Sequence, residues 1–114
     1  MIPRDVRVFV CTQPQDMRRG FDPLALAARQ ALGEDPRSGA LFCFVNKRAN
    51  RLKILWFDGS GYCLLYKRAH LVRFVLPPHR QASGHPLGGP IDANLLRELV
   101  AGVRRVEKSR QRLH

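Results

Sequence analysis

Eight lysines and arginines stand between Asn46 and Arg80 (Lys47, Arg48, Arg51, Lys53, Lys67, Arg68, Arg73 and Arg80), opposed by one acid, Asp58. Cations at this density suit a polyanion, because each neutralises a phosphate and arginine also reads a guanine edge through two hydrogen bonds. The same stretch is the most apolar and aromatic of the chain. The charge therefore decorates folded structure, and nucleic acid is the expected partner. Lys47, Arg48, Arg51 and Lys53, in and beside a hairpin loop at 46–51, are the first choice for phosphate contact. About four to six such contacts would give a log–log salt slope of roughly −4 to −5. The plainer reading is a solvated turn, charged for solubility and edge protection.

Arg18 and Arg19 come second, placed just before a helix whose first amides favour anions. Asp16 or Asp22 could instead pair with one of them to fix the loop. Lys67, Arg68 and Arg73 extend the basic strands, and Arg104, Arg105 and Lys108, with Arg110 and Arg112 beyond, offer a third, sequence-independent set. Phe9, Phe42, Phe44, Trp56, Phe57, Tyr62, Tyr66 and Phe74 fall in strands, where a small domain needs them as core. Stacking on bases is the lesser reading for them, since none of the usual RNA-binding sheet motifs occurs.

Catalysis finds little support. Most aspartates sit at caps and turns, and no His-x-x-x-His or glycine-rich phosphate loop is present. A metal-dependent nuclease would need Asp16, Asp22 and Asp58 to converge on an ion. Cys11, Cys43 and Cys63 form no Cys-x-x-Cys pair and read as small buried hydrophobes in a reducing compartment. A zinc site joining them to His70, His79 or His85 matches no known spacing. No cofactor and no metal are expected.

Behind these residues lies a chain of 114 residues with formal net charge +11, the size of one ordinary domain. No run approaches the roughly 18 apolar residues that span a bilayer, and the N-terminus lacks the apolar core of a secretory signal. No membrane partner and a cytosolic location are expected. Alternation at Val6, Val8 and Val10 predicts a first strand over 6–12 with one buried face. Asp22 as N-cap, Pro23 at the first helical position and Gly33 past the last turn mark a helix, with Phe21 and Leu26 at the spacing of a hydrophobic staple. Its stripe is Leu24, Ala27, Ala28, Ala31 and Leu32. Apolar runs at 40–46, 52–58 and 62–68 read as sequential antiparallel strands, joined by the cationic loop and by the Asp58-Gly59 turn. A last short strand at 72–76 ends at Pro77-Pro78.

Residues 77–90, with four prolines and three glycines, read as a linker or surface loop between a core domain at 1–76 and a C-terminal helix with basic tail at 91–114. Asp92 caps that helix, Ile91 and Leu96 repeat the staple spacing, and Leu96, Leu99, Val100 and Val103 form its stripe, with Gly102 weakening its middle. The arginines from Arg104 onward would sit at the negative end of its dipole. The fold class is therefore α+β: a mostly antiparallel sheet of about five strands, one helix packed on it, and a C-terminal helix.

The segments Asp16-Met17-Arg18-Arg19-Gly20-Phe21-Asp22, Leu41-Phe42-Cys43-Phe44, Leu52-Lys53-Ile54-Leu55-Trp56-Phe57-Asp58-Gly59-Ser60-Gly61, Lys67-Arg68 and Arg73-Phe74 resemble a bacterial family. It is the TnpB-type accessory protein, the product of the second open reading frame, of the IS66 group of insertion sequences. The resemblance runs over roughly 4–77, with an echo at 95–103. It implies a small non-catalytic partner that transposition needs, working in the bacterial cytoplasm beside a separate transposase, and nucleoid-associated if bound to DNA. DNA at the element's ends and the transposase are the partners it suggests, and it supplies no catalytic residues. Pro23, Leu76 and the long linker at 79–90 depart from the family pattern. An adaptor that docks on the transposase without touching DNA is the rival reading, and a nuclease the outside one.

Overall fold

The computed structural model describes residues 5–77 and 87–105. Strand β1 (Val8–Cys11) leads into helix α1 (Phe21–Leu32), then strands β2 (Leu41–Val45), β3 (Arg51–Phe57), β4 (Tyr62–Arg68) and β5 (Val72–Arg73). Strand β6 (Gly88–Ile91), helix α2 (Ala93–Ala101) and strand β7 (Val103–Arg104) follow. The main sheet has the order β4-β3-β2-β1-β6, and β5 and β7 form a separate ribbon. Every neighbouring pair in the main sheet is antiparallel except β1 with β2, the two strands that α1 connects. A parallel pair needs such a crossover. The α+β architecture with a mostly antiparallel five-stranded sheet and a C-terminal helix is thus the one the sequence predicts.

Both faces of the sheet are covered. Phe9, Cys11, Phe42, Phe44 and Leu55 join the α1 residues Leu24, Ala27, Ala28, Ala31 and Leu32 in one core. Their neighbours Val8, Val10, Leu41, Cys43, Leu52 and Ile54 form a second core with Phe74 and with Leu96 and Leu99 of α2. The expectation that β1 buries one face is therefore corrected: all four of its residues are buried, because α2 supplies a second layer. Residues of period two divide cleanly between the two cores.

The start of α1 also differs from the sequence reading. Its N-cap is Gly20, without a side-chain cap, so Asp22 lies inside the first turn, where its charge meets the positive end of the dipole. Pro23 is the third helical residue, still among the positions whose N–H has no helical acceptor. Phe21 and Leu26 make no buried staple and stay 47% and 51% exposed. At the other end Gly33 adopts φ 65°, and the N–H groups of Gly33 and Glu34 donate to the carbonyls of Arg29 and Ala28, the first of these being the bond of an αL stop.

Gly88, Gly89 and Pro90, assigned by sequence to the loop, pair as an edge strand with Cys11, Val10 and Phe9. A Cβ on Gly88 would stand 2.2 Å from the Val10 carbonyl oxygen and 2.3 Å from Leu32 Cδ2; the glycine is what lets the strand approach. Pro90 suits the edge, where its missing N–H breaks no inner ladder. The predicted strand at 72–76 is reduced to Val72–Arg73, for the N–H of Phe74 turns to the carbonyl of Ala49 at 2.8 Å. Asp92 caps α2 as expected, accepting from the N–H of Leu95 at 2.8 Å. Gly102 ends that helix at φ 78°, so Val103 leaves the predicted stripe and pairs with Arg73, and Arg104 pairs with Val72. Among the described residues no helix is long and apolar enough to cross a membrane.

Candidate nucleic-acid interface

The turn between β2 and β3 is held by one side chain. Asn46 Oδ1 accepts from the N–H groups of Asn50 at 3.0 Å and Arg51 at 2.9 Å, and Asn46 Nδ2 donates to Asn50 Oδ1 at 2.6 Å. The N–H of Ala49 returns to the Asn46 carbonyl, while the Ala49 and Asn50 carbonyls accept from Phe74 and Ala69. Ala49 sits at φ 60°, a conformation that disfavours any residue with a Cβ. So many bonds fix the turn, and they leave Lys47 and Arg48 exposed at its tip.

Beside it runs the segment 12–20. Asp16 accepts from the backbone and guanidinium of Arg18, the closest contact being 2.6 Å from Nη2 to Oδ2. That pairing holds the Asp16 carboxyl down at about 2. Gln15 is buried, donates its N–H to the Val45 carbonyl at 3.1 Å, and accepts at its side chain from Arg19 Nη1 at 3.2 Å. Lys53 Nζ donates to the Arg19 carbonyl at 2.8 Å and lies 4.7 Å from the centre of the Tyr66 ring. Arg19 and Lys53 therefore strap the segment to the sheet. At 6% exposure Lys53 is buried, which corrects its place among the phosphate contacts: its charge faces an internal carbonyl and a ring.

Between the two segments opens a groove of about 590 Å³. Pro14, Gln15, Asp16, Met17 and Arg18 line it together with Asn46, Lys47 and Arg48 of the turn and with Arg51 and Tyr66. Lys47, Arg48 and Arg51 of the first-choice cluster and Arg18 of the second thus face one space, whereas Lys53 is buried and Arg19 lines a different recess. Arg51 pairs in register with Arg68 across β3 and β4, and Arg51 Nη1 donates to Tyr66 Oη at 2.9 Å. Arg73 opens onto a second recess of about 370 Å³ on the far side of the turn, which Lys47 and Arg48 also line.

Lys67 is not with them. One residue along from Arg68, it points to the α2 face and donates from Nζ to the Val100 carbonyl at 2.6 Å, satisfying an end of α2. Arg104 and Arg105 are exposed on and beside the β5–β7 ribbon, and Lys108 lies outside the described residues. Three ion pairs occur among the described residues: Arg7–Glu34, Arg18–Asp16 and Arg29–Asp35. Lys47, Arg48, Arg51, Arg68 and Arg73 have no carboxylate partner there. Arg51 and Arg68 are like charges directly opposite each other on a strand pair, an arrangement that is unfavourable without a counter-charge.

The carboxylates are otherwise engaged. Asp58 accepts from the N–H and hydroxyl of Ser60, the N–H of Gly61 and the Cys63 thiol, and these donors hold its carboxyl at about 2. Among the described residues no three His, Cys, Asp or Glu side chains gather as a metal site would require. Cys11 and Cys43 are buried as expected, and burial pushes the Cys43 thiol up to about 12. Cys63 is half-buried on Asp58, a polar role that the apolar run around it conceals.

The expectation that the strand aromatics serve as core holds for Phe9, Phe42, Phe44 and Phe74 but is corrected for Tyr66, which is 49% exposed in the groove. The signal lay in register: Tyr66 is directly opposite Lys53 and two residues from Arg68.

The chain matches the family described as IS66 Orf2 like protein over residues 6–110. It is 43% identical over 79 residues to the uncharacterized protein y4hO of Sinorhizobium fredii (strain NBRC 101917 / NGR234), covering 68% of this chain and 69% of that protein. With the uncharacterized protein y4jC of the same organism it shares 39% identity over 82 residues, covering 72% and 70% respectively. No solved structure matches.

Proposed function

The chain belongs to the IS66 Orf2-like family of transposition accessory proteins, and from that premise we propose that it binds DNA through the basic groove, without catalysis, beside a separate transposase. One observation carries this reading: Lys47, Arg48, Arg51 and Arg73 line the groove and the recess beside a fixed turn, Arg68 stands in register opposite Arg51, and none of the five has a carboxylate partner among the described residues. A preformed turn loses little freedom when phosphates dock on it. Arg104 and Arg105, on the separate ribbon, extend the charge available to a long polymer.

The rival is an adaptor that docks on the transposase, its charge serving only encounter. Exposed Phe21 and Leu26 on α1 favour it. Fluorescence anisotropy of labelled element-end DNA across a salt series separates the two. Binding with a steep salt slope, abolished by the K47E/R48E double substitution, supports DNA contact. No binding at low salt, together with co-purification of the transposase, sinks it in favour of the adaptor.

A further inference from the structure

We infer that the groove takes an unpaired nucleotide of single-stranded DNA, its base stacked on Tyr66 and its phosphates held by Lys47, Arg48 and Arg51. The inference rests on the DNA-binding reading above and names the form of DNA that the groove receives. Phosphate contact alone needs only cations, yet this groove also holds an aromatic ring. Tyr66 is 49% exposed, Arg51 is bonded to its hydroxyl at 2.9 Å, and the buried Lys53 ammonium lies 4.7 Å from the ring centre. Anchored at its hydroxyl and against its inner side, the ring is held in place before any ligand arrives.

Stacking on a ring flanked by cations is how proteins hold single strands irrespective of sequence. A paired base keeps its faces against its neighbours and has none to offer. The groove, at about 590 Å³, falls within the size range of sites that bury small ligands, so one nucleotide has room. Pro14 and Met17 add apolar surface for a base.

The test compares an oligo(dT) strand with a duplex of equal length by anisotropy, using the full chain, Tyr66→Leu and Tyr66→Phe. The full chain and Tyr66→Phe should prefer the single strand. Tyr66→Leu should lose about fivefold to a hundredfold on the single strand, the size of one stack, with the duplex affinity and both salt slopes unchanged. Iodouracil placed in the strand should photo-crosslink to Tyr66 of the unsubstituted chain, a readout that needs no variant to fold. Equal affinity for the two DNAs, a preference that survives in Tyr66→Leu, or crosslinks elsewhere would overturn the inference while leaving DNA binding intact. Failure to bind either DNA would overturn the parent reading as well.

Discussion

Removing one carboxylate should strengthen DNA binding, and this tests the groove more sharply than removing a cation. Arg18 faces the groove but is neutralised by Asp16 at 2.6 Å. Because Arg18 holds the Asp16 carboxyl at about 2, acidification to pH 4 leaves the pair charged, and only substitution frees the guanidinium. With four phosphates engaged, the salt slope is about −3.6, and affinity falls about 150-fold between 50 and 200 mM salt. Arg48→Ala should bring the slope to about −2.7 and the fall to about 40-fold. Asp16→Asn, by adding Arg18 as a fifth contact, should give about −4.5 and about 500-fold. Anisotropy against a labelled duplex, the form to which these slopes apply, at four or more salt concentrations reads all three. Arg29→Ala is the control, its charge lying on the last turn of α1 beside Asp35. Should Arg29→Ala flatten the slope as much as Arg48→Ala, binding would follow net charge, and the argument for a defined groove would be refuted.

Gly88→Ala should destabilise the fold by about 3 kcal/mol, since its Cβ would meet the Val10 carbonyl oxygen at 2.2 Å; a melting temperature lower by about 10 °C or more is the expected readout. Lys67→Met should cost about 1–2 kcal/mol by denaturant titration, through loss of its bond to the Val100 carbonyl, and leave the DNA salt slope untouched. Asp58→Asn weakens the turn between β3 and β4 in a pH-dependent way. The Asp58 carboxyl is depressed from 3.8 to about 2, so its contribution is full above 3.8 and lost as pH falls through about 2. The gap in melting temperature between the two proteins should hold steady from pH 7 to pH 5 and close toward pH 2.

What the sequence made legible is what local chemistry decides. The Gly33 stop, the Asp92 cap and the apolar runs that become the antiparallel strands β2, β3 and β4 all depend on residues close in the chain, and the structure shows each of them. The edge strand at Gly88–Ile91 was hidden because its glycines and proline are there for a distant reason: Gly88 must clear the Val10 backbone and Leu32, and Pro90 occupies an edge that only the finished sheet defines. Val103 was misplaced for the converse reason. It continues the apolar stripe of α2, but Gly102 at φ 78° breaks the helix one residue earlier.

The site was legible as a charge density and illegible as a division of labour. Lys53 and Lys67 look like Lys47 and Arg48 in composition, yet depth and parity separate them. Lys53 sits opposite Tyr66 beneath the segment 12–20, and Lys67 sits opposite Leu52 on the α2 face. Lys53 is buried and Lys67 half-buried, and an ammonium so withdrawn from water needs an acceptor, which each finds at a backbone carbonyl, Arg19 and Val100 respectively. The two thus hold the frame, one tying Arg19 to β3 and the other tying β4 to α2. Arg51 and Arg68 repel across the outer strand pair that this frame supports, while Lys47 and Arg48 stand on a turn locked by Asn46. The fold fixes the backbone positions from which these cations project, so they stay gathered where those of a loose tail would disperse, and under the proposed function a phosphate chain docking at the groove would relieve the field they create.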